Sequence, residues 1–136
     1  MATFLSWGVA QGLKVLLHLI AEGKLDLRYL VSAGGMPSAH SAFAASLATG
    51  VALQEGLRSP LFAMAAAFAI VVMFDAQGVR RATSAQARIL NQILDELFQG
   101  HPISEERLRE LIGHTPVEVL VGAAMGVVLT WVWMAL

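Results

Sequence analysis

The sequence predicts an all-α integral membrane protein: a bundle of about four transmembrane helices with one or two short amphipathic helices beside it. Of the 136 residues, 57% are hydrophobic and 14% charged, where an ordinary soluble domain would have roughly a quarter charged. Water is therefore not its main solvent. The apolar residues also gather into four segments, about Thr3 to Ala21, Pro37 to Leu53, Ser59 to Phe74 and Thr115 to Leu136. In lipid, a backbone must satisfy its own hydrogen bonds, which makes such segments helices. The length suits one domain, residues 1–136.

The first segment is apolar but lacks the basic start of a signal peptide, and Lys14 interrupts it, so it reads as a retained helix. Segments two and three are rich in alanine, as in Ala42-Phe43-Ala44-Ala45-Ser46-Leu47-Ala48 and Ala63-Met64-Ala65-Ala66-Ala67. Small residues let helix backbones approach closely in lipid. The polar stretch from Asp75 to His114 holds two helical patterns. In Thr83 to Phe98, the residues Ile89, Leu90, Ile93, Leu94 and Leu97 share one face, with Arg88, Asn91, Gln92, Asp95 and Glu96 elsewhere. This predicts a helix lying along the membrane surface or capping the bundle. A second short helix is expected from Ser104, an N-cap followed by Glu105 and Glu106, to near Gly113.

If the spans alternate, the starts of the second and fourth share one side with the ends of the first and third. The stretches on that side carry Lys24, Arg28, Arg80, Arg81, Arg88, Arg107 and Arg109, against Arg58 on the other. The positive-inside rule then predicts a site facing the cytoplasm, in a plasma (bacterial inner) membrane. Trp7, Trp131 and Trp133 fall toward the opposite interface. A net charge of −1 gives no basic excess for nucleic acid. The absence of cysteine excludes disulfides, thiolate zinc sites and a thiol nucleophile.

Alternation gathers Lys14, Ser38, His40, Asp75, Arg80, His114 and Glu118 at one face, and ionisable groups at membrane depth are costly and usually functional. In Gly34-Gly35-Met36-Pro37-Ser38-Ala39-His40-Ser41 a glycine turn precedes a proline suited to the first helical position, with a histidine in the first turn. The amides there, with the helix dipole, predict an anion site. Gly113-His114-Thr115-Pro116-Val117-Glu118 opens the fourth segment with a second histidine. Two imidazoles, a lysine and an arginine suit a phosphate: one histidine attacks phosphorus, the other protonates the leaving alkoxide, and the cations neutralise phosphoryl charge.

At these residues the sequence resembles the type 2 phosphatidic acid phosphatase superfamily, which includes vanadium haloperoxidases. It is closest to the divergent bacterial and plastid branch. Pro37-Ser38-Ala39-His40 matches the superfamily's Pro-Ser-Gly-His motif with alanine for glycine, and His114 precedes Glu118 by four positions ahead of the Gly122-Ala123 helix. The resemblance implies His114 as the nucleophile forming a phosphohistidine, Glu118 as its orienting acid, His40 as the general acid, and Ser38 as a phosphate ligand. It extends to Gln11, Lys14, the stretch from Asp75 to Arg81, Gln86 and Asn91, and so spans most of the chain. Gly35, Lys14, Ser38 and Arg80 are then the expected phosphate-binding residues, with Gln11, Asp75, Gln86 and Asn91 in support.

The departures from the pattern are specific. The lysine and Arg-Pro pair expected ahead of Pro37 are absent, Lys24 and Arg28 being wrongly spaced, and Leu108 stands where an arginine should precede His114. Lys14 and Arg80 are the cations left to replace them. The expected activity is hydrolysis of a phosphate monoester on a membrane lipid, with no cofactor and no haloperoxidase chemistry. One alternative is a relative without turnover that binds phospholipid headgroups or a partner. Another is a metal-assisted hydrolase using His40, His114, Glu118 and Asp75. Blander readings stand beside these: Thr115-x-x-Glu118 is also a capping box, Lys14 also suits snorkelling to the interface, and Asp75 also suits a plain ion pair with Arg80. A small bundle with short spans is, further, of a kind that pairs with copies of itself.

Overall fold

The structure, a computed structural model, describes residues 1–23, 35–98 and 113–136. Among these residues there are four helices and no strand: α1 (Ala2–Glu22), α2 (Ala39–Glu55), α3 (Pro60–Phe98) and α4 (Pro116–Ala135). The short helix expected from Ser104, and the basic residues Lys24, Arg28, Arg107 and Arg109, lie outside the described residues.

The packing is inside out by the standards of a water-soluble protein. Among the described residues, the buried apolar ones are alanines at Ala10, Ala39, Ala42, Ala44, Ala45, Ala65, Ala69 and Ala87, together with Val119. Large side chains such as Ile20, Phe68, Val71, Phe74 and Leu120 face outward, each about half exposed or more. So many large apolar side chains on the outside suit lipid. Three helices, α1, α3 and α4, are long and apolar enough to cross a membrane.

The expectation of four spans needs correction at α2, whose 17 residues fall short of the roughly 20 that a hydrocarbon core of about 30 Å requires. The physical reason is its position. α2 packs against all three other helices and buries Ala39, Ser41, Ala42, Ala44, Ala45 and Ser46, so it needs no broad apolar face toward lipid.

A second correction concerns α3. The expected span and the separate surface helix over Thr83 to Phe98 form one continuous helix of 39 residues. The joining stretch Asp75-Ala76-Gln77-Gly78-Val79-Arg80-Arg81-Ala82 contains no proline, and a lone glycine costs a helix only about 1 kcal/mol. At about 1.5 Å per residue the helix is roughly 58 Å long, nearly twice the hydrocarbon thickness. On its distal part Ile89, Leu90, Ile93 and Leu94 are exposed.

Helix directions follow from the contacts. The ring of Phe4 meets that of Phe43 edge to face at 5.7 Å, and the stem of Lys14 lies against Gly35, so α1 and α2 are antiparallel. α2 and α4 run parallel, because Ser38 abuts Gly122, Ala42 abuts Gly126 and the hydroxyl of Ser46 bonds that of Thr130, a step of four residues on both sides. The starts of α2 and α4 thus share one end of the bundle, as alternation predicts. Trp7, Trp131 and Trp133 all lie exposed on the outer surface.

Among the described helices, the α2–α4 seam is the tightest. A Cβ at Gly122 would lie closer to the Ser38 carbonyl oxygen than the 3.0 Å that real Cβ atoms respect, and one at Gly126 would meet the Ala42 carbonyl oxygen in the same way. Small residues spaced by four on both helices permit this approach. Thr130 closes the row, its Oγ1 donating to the Gly126 carbonyl at 2.8 Å.

Candidate functional site

The seam fixes where the two histidines stand. Ser38, fully buried, is the N-cap of α2. Its Oγ accepts from the Ser41 amide at 3.3 Å and from the Ser41 hydroxyl at 3.0 Å, and its own amide donates to the Glu118 carbonyl at 3.0 Å. That last bond ties the start of α2 to the first turn of α4. Pro37 lies before the cap, not at the first helical position as expected, because the extended Ser38 (ψ 111°) supplies the cap itself. His40 follows in the first turn of α2 and is exposed.

At α4, Thr115 is the N-cap and a complete capping box forms: Thr115 Oγ1 accepts from the Glu118 amide at 3.2 Å, and Glu118 Oε2 accepts from the Thr115 amide at 3.0 Å. The same Oε2 pairs with His114 Nδ1 at 3.2 Å. Capping and histidine orientation, two roles that the sequence allows Glu118 separately or together, are both present in one carboxylate. The His114 amide donates to the Ala76 carbonyl of α3 at 3.3 Å, so α3 and α4 both hold this histidine.

His114 is buried, with 2% of its surface exposed, and its ring lies 6.1 Å from that of His40, centroid to centroid and edge to face. With Nδ1 directed at the carboxylate, the tautomer carrying its proton there leaves Nε2 with a free lone pair. Nε2 is indeed buried without a partner among the described residues. Burial holds the His114 pKa below its ordinary value; Glu118 opposes this, and the charges of Lys14 and His40 add to it.

Lys14, buried on α1, is close enough to interact electrostatically with both His114 and Glu118. Its Cγ and Cδ run 3.6 Å from the position a Gly35 side chain would take, and Gly35 has φ 89°, a conformation that favours glycine. Gln11, one turn before Lys14, is also buried and its Oε1 has no partner among the described residues. The structure therefore brings His40, His114, Glu118, Lys14, Gly35 and Ser38 to one end, with Gln11 a turn deeper.

The other expected residues stand differently. Asp75 is exposed, one residue before the Ala76 carbonyl that receives His114. Arg80 falls within α3, its side chain outside the described part of the structure. Gln86 and Asn91 sit about 15 Å and 22 Å along α3 from Ala76 by helix rise, and the structure does not bring them to the histidine pair. Among the described residues, no three His, Asp or Glu side chains form a group able to hold a metal ion. His18 pairs with Glu22 at 3.2 Å, and His101 lies outside the described residues. The sequence reading passes over the packing roles of Gly126 and Ser41, and takes Gly122 only as part of a motif; the Gly122-x-x-x-Gly126 spacing is the signal that marks them.

Fold and site together define a helical membrane protein with a buried, carboxylate-oriented histidine facing a second histidine across two helix starts. The sequence pattern of the Divergent PAP2 family matches residues 1–129. The uncharacterized membrane protein YuiD of Bacillus subtilis is 42% identical over 134 residues, covering 90% of this chain and 85% of that protein. No solved structure matches. The chain belongs to the Divergent PAP2 family and is a PAP2-related membrane protein.

Proposed function

We propose that the protein is a metal-independent phosphatase that hydrolyses a phosphate monoester on a membrane lipid. The observation that carries the reading is the unpartnered, buried His114 Nε2 beside His40, with Nδ1 held by Glu118. In the first step Nε2 attacks phosphorus, a P–N bond forms as the ester P–O bond breaks, and His40 gives a proton to the leaving alkoxide. Water then attacks the phosphohistidine, His40 takes its proton, and phosphate leaves with His114 restored. A nucleophile acts from about 3–3.5 Å and a general acid from about 2.6–3.2 Å, so both rings must reach one phosphate, and centroids 6.1 Å apart bring them near enough to share it.

Lys14 and Arg80 neutralise the phosphoryl oxygens in this reading, Gly35 and Ser38 shape the turn that receives them, and Gln11 and Asp75 support the cluster. The basic residues of the intervening stretches favour a cytoplasmic site. Purified protein, given a panel of lipid phosphates with chelator present, releases inorganic phosphate, and His114→Ala abolishes release. An unchanged rate in that variant removes the mechanism. Departure from the superfamily's basic motifs, with Leu108 in place of an arginine, favours a second reading, headgroup binding without turnover. Vanadate binding with no hydrolysis across the panel would select it.

A further inference from the structure

A groove of about 430 Å³ opens between α1, α2 and α3 beside His40. Its walls include Phe4 and Trp7 from α1, Phe43 from α2, and Phe68 and Val72 from α3, and His40 is the one ionisable residue lining it. The volume lies at the lower end of ligand pockets, about 300–1,000 Å³. Trp7 and Phe68 are nearly half exposed, so the groove opens on the apolar outer surface of the bundle, the surface suited to lipid.

We propose that this groove holds one hydrocarbon chain of an amphiphilic phosphate ester and that His40 marks where chain gives way to phosphate. The proposal rests on the phosphatase reading in that it places the phosphate between the two rings. Continuity with the site decides the occupant. His40 belongs to both places: the residue lines the apolar groove, and its ring stands 6.1 Å from that of His114. A polar ligand would find almost nothing to bond along the groove, whereas a molecule with an apolar tail and an anionic head matches both parts. A tail already in the bilayer gains no hydrophobic free energy by entering, since lipid is as apolar as the wall. The groove therefore acts by alignment, setting the ester in register with His114 Nε2.

The test uses the full chain in phosphatidylcholine nanodiscs with two substrates, hexadecyl phosphate and butyl phosphate. Val72→Trp fills the groove from α3, where residue 72 is only half-buried, and Val128→Phe on the outer surface of α4 serves as control. The expected result is a fall in kcat/KM on hexadecyl phosphate of roughly tenfold to a hundredfold in Val72→Trp, the scale of a small misplacement. The fall on butyl phosphate is several times smaller than on hexadecyl phosphate, and the control matches the parent on both. An equal fall on both substrates, or no fall on the long one, overturns the groove assignment while leaving the phosphatase reading intact.

If the parent hydrolyses neither ester, the phosphatase reading fails, and binding then decides the groove by itself. With Trp131→Phe and Trp133→Phe, Trp7 is the remaining tryptophan. Trace bromohexadecyl phosphate should then quench its fluorescence saturably, and Val72→Trp,Trp7→Phe should show no saturable quenching of the groove-filling indole. Quenching of Trp7 no stronger than that produced by a bromoalkane of equal length overturns the proposal.

Discussion

Gly122→Ala is the sharpest perturbation of the seam that holds the two histidines together. The added methyl would sit against the Ser38 carbonyl oxygen well inside 3.0 Å, and 3.1 Å from both the carbonyl carbon and the amide nitrogen of Ser38. Ordinary contact begins near 3.4 Å, and these are backbone atoms that no rotamer change can move. The two helices must part by about 1 Å, and overpacking of this kind costs about 1–3 kcal/mol. The displacement falls on the bond from the Ser38 amide to the Glu118 carbonyl, which fixes one helix start against the other. A misplacement of about 1 Å can cost a reaction on the order of a hundredfold.

The variant should therefore unfold at lower temperature in detergent and bind vanadate more weakly than the parent. Gly12→Ala is the matched control, because a Cβ there meets nothing within 4 Å; relief of glycine's unfolded-state entropy should leave it unchanged or more stable by about 0.5–1 kcal/mol. If Gly122→Ala matched its parent in both stability and vanadate affinity, the close approach of α2 and α4 would be wrong. The derived placement of His40 would fall with it.

Other outcomes follow from single contacts. A double-mutant cycle of Ser46→Ala and Thr130→Val should give a coupling of about 0.6 kcal/mol and no more than about 1.7, the range for hydrogen bonds between membrane helices; zero coupling in unfolding measurements would deny the bond. Because the folded-state pKa of His114 is lowered from 6.5, the unfolded chain binds more protons as pH falls. The contribution of His114 to stability is therefore complete above about pH 6.5 and lost as pH falls toward the folded value, and His114→Asn should flatten the dependence of Tm on pH in that window. In Glu118→Gln the loss of a bond and a charge that raise the His114 pKa should move the acid limb of the pH–rate profile to lower pH, with kcat reduced by a factor on the order of 10² or more. Lys14→Met should weaken vanadate binding by roughly a hundredfold, read by isothermal titration.

How much of this was legible in the sequence varies with the range of the interaction. α1 and α4 are continuous apolar runs, and their observed ends differ from the expected ones by a residue or so. The extent of α3 was less accessible, since an amphipathic pattern says which face is apolar but not whether a helix has begun afresh; only the lack of a proline between Phe74 and Thr83 marks continuity. The α2–α4 register is harder still. Rows of small residues spaced by four are visible on both helices, yet nothing local pairs Ser46 with Thr130, which lies 84 positions away.

The site was more legible than the seam because its chemistry is that of helix starts. A helix start needs a cap, and caps have short sequence signatures: Ser38 three residues before Ser41, and Thr115 three before Glu118. What one-dimensional reading could not decide was whether Glu118 caps or orients, since each role alone accounts for its position. The geometry removes the choice, because a carboxylate oxygen has capacity for more than one donor and Oε2 accepts from the Thr115 amide and the His114 ring together. The same carboxylate oxygen that caps α4 therefore sets the direction of His114 Nε2, so truncating Glu118 alters the histidine and loosens the helix start together. Separating the two requires Thr115→Ala, which removes the Oγ1 that caps the Glu118 amide while leaving the carboxylate to the ring: stability should fall by about 0.5–2 kcal/mol, while the pH profile keeps its position.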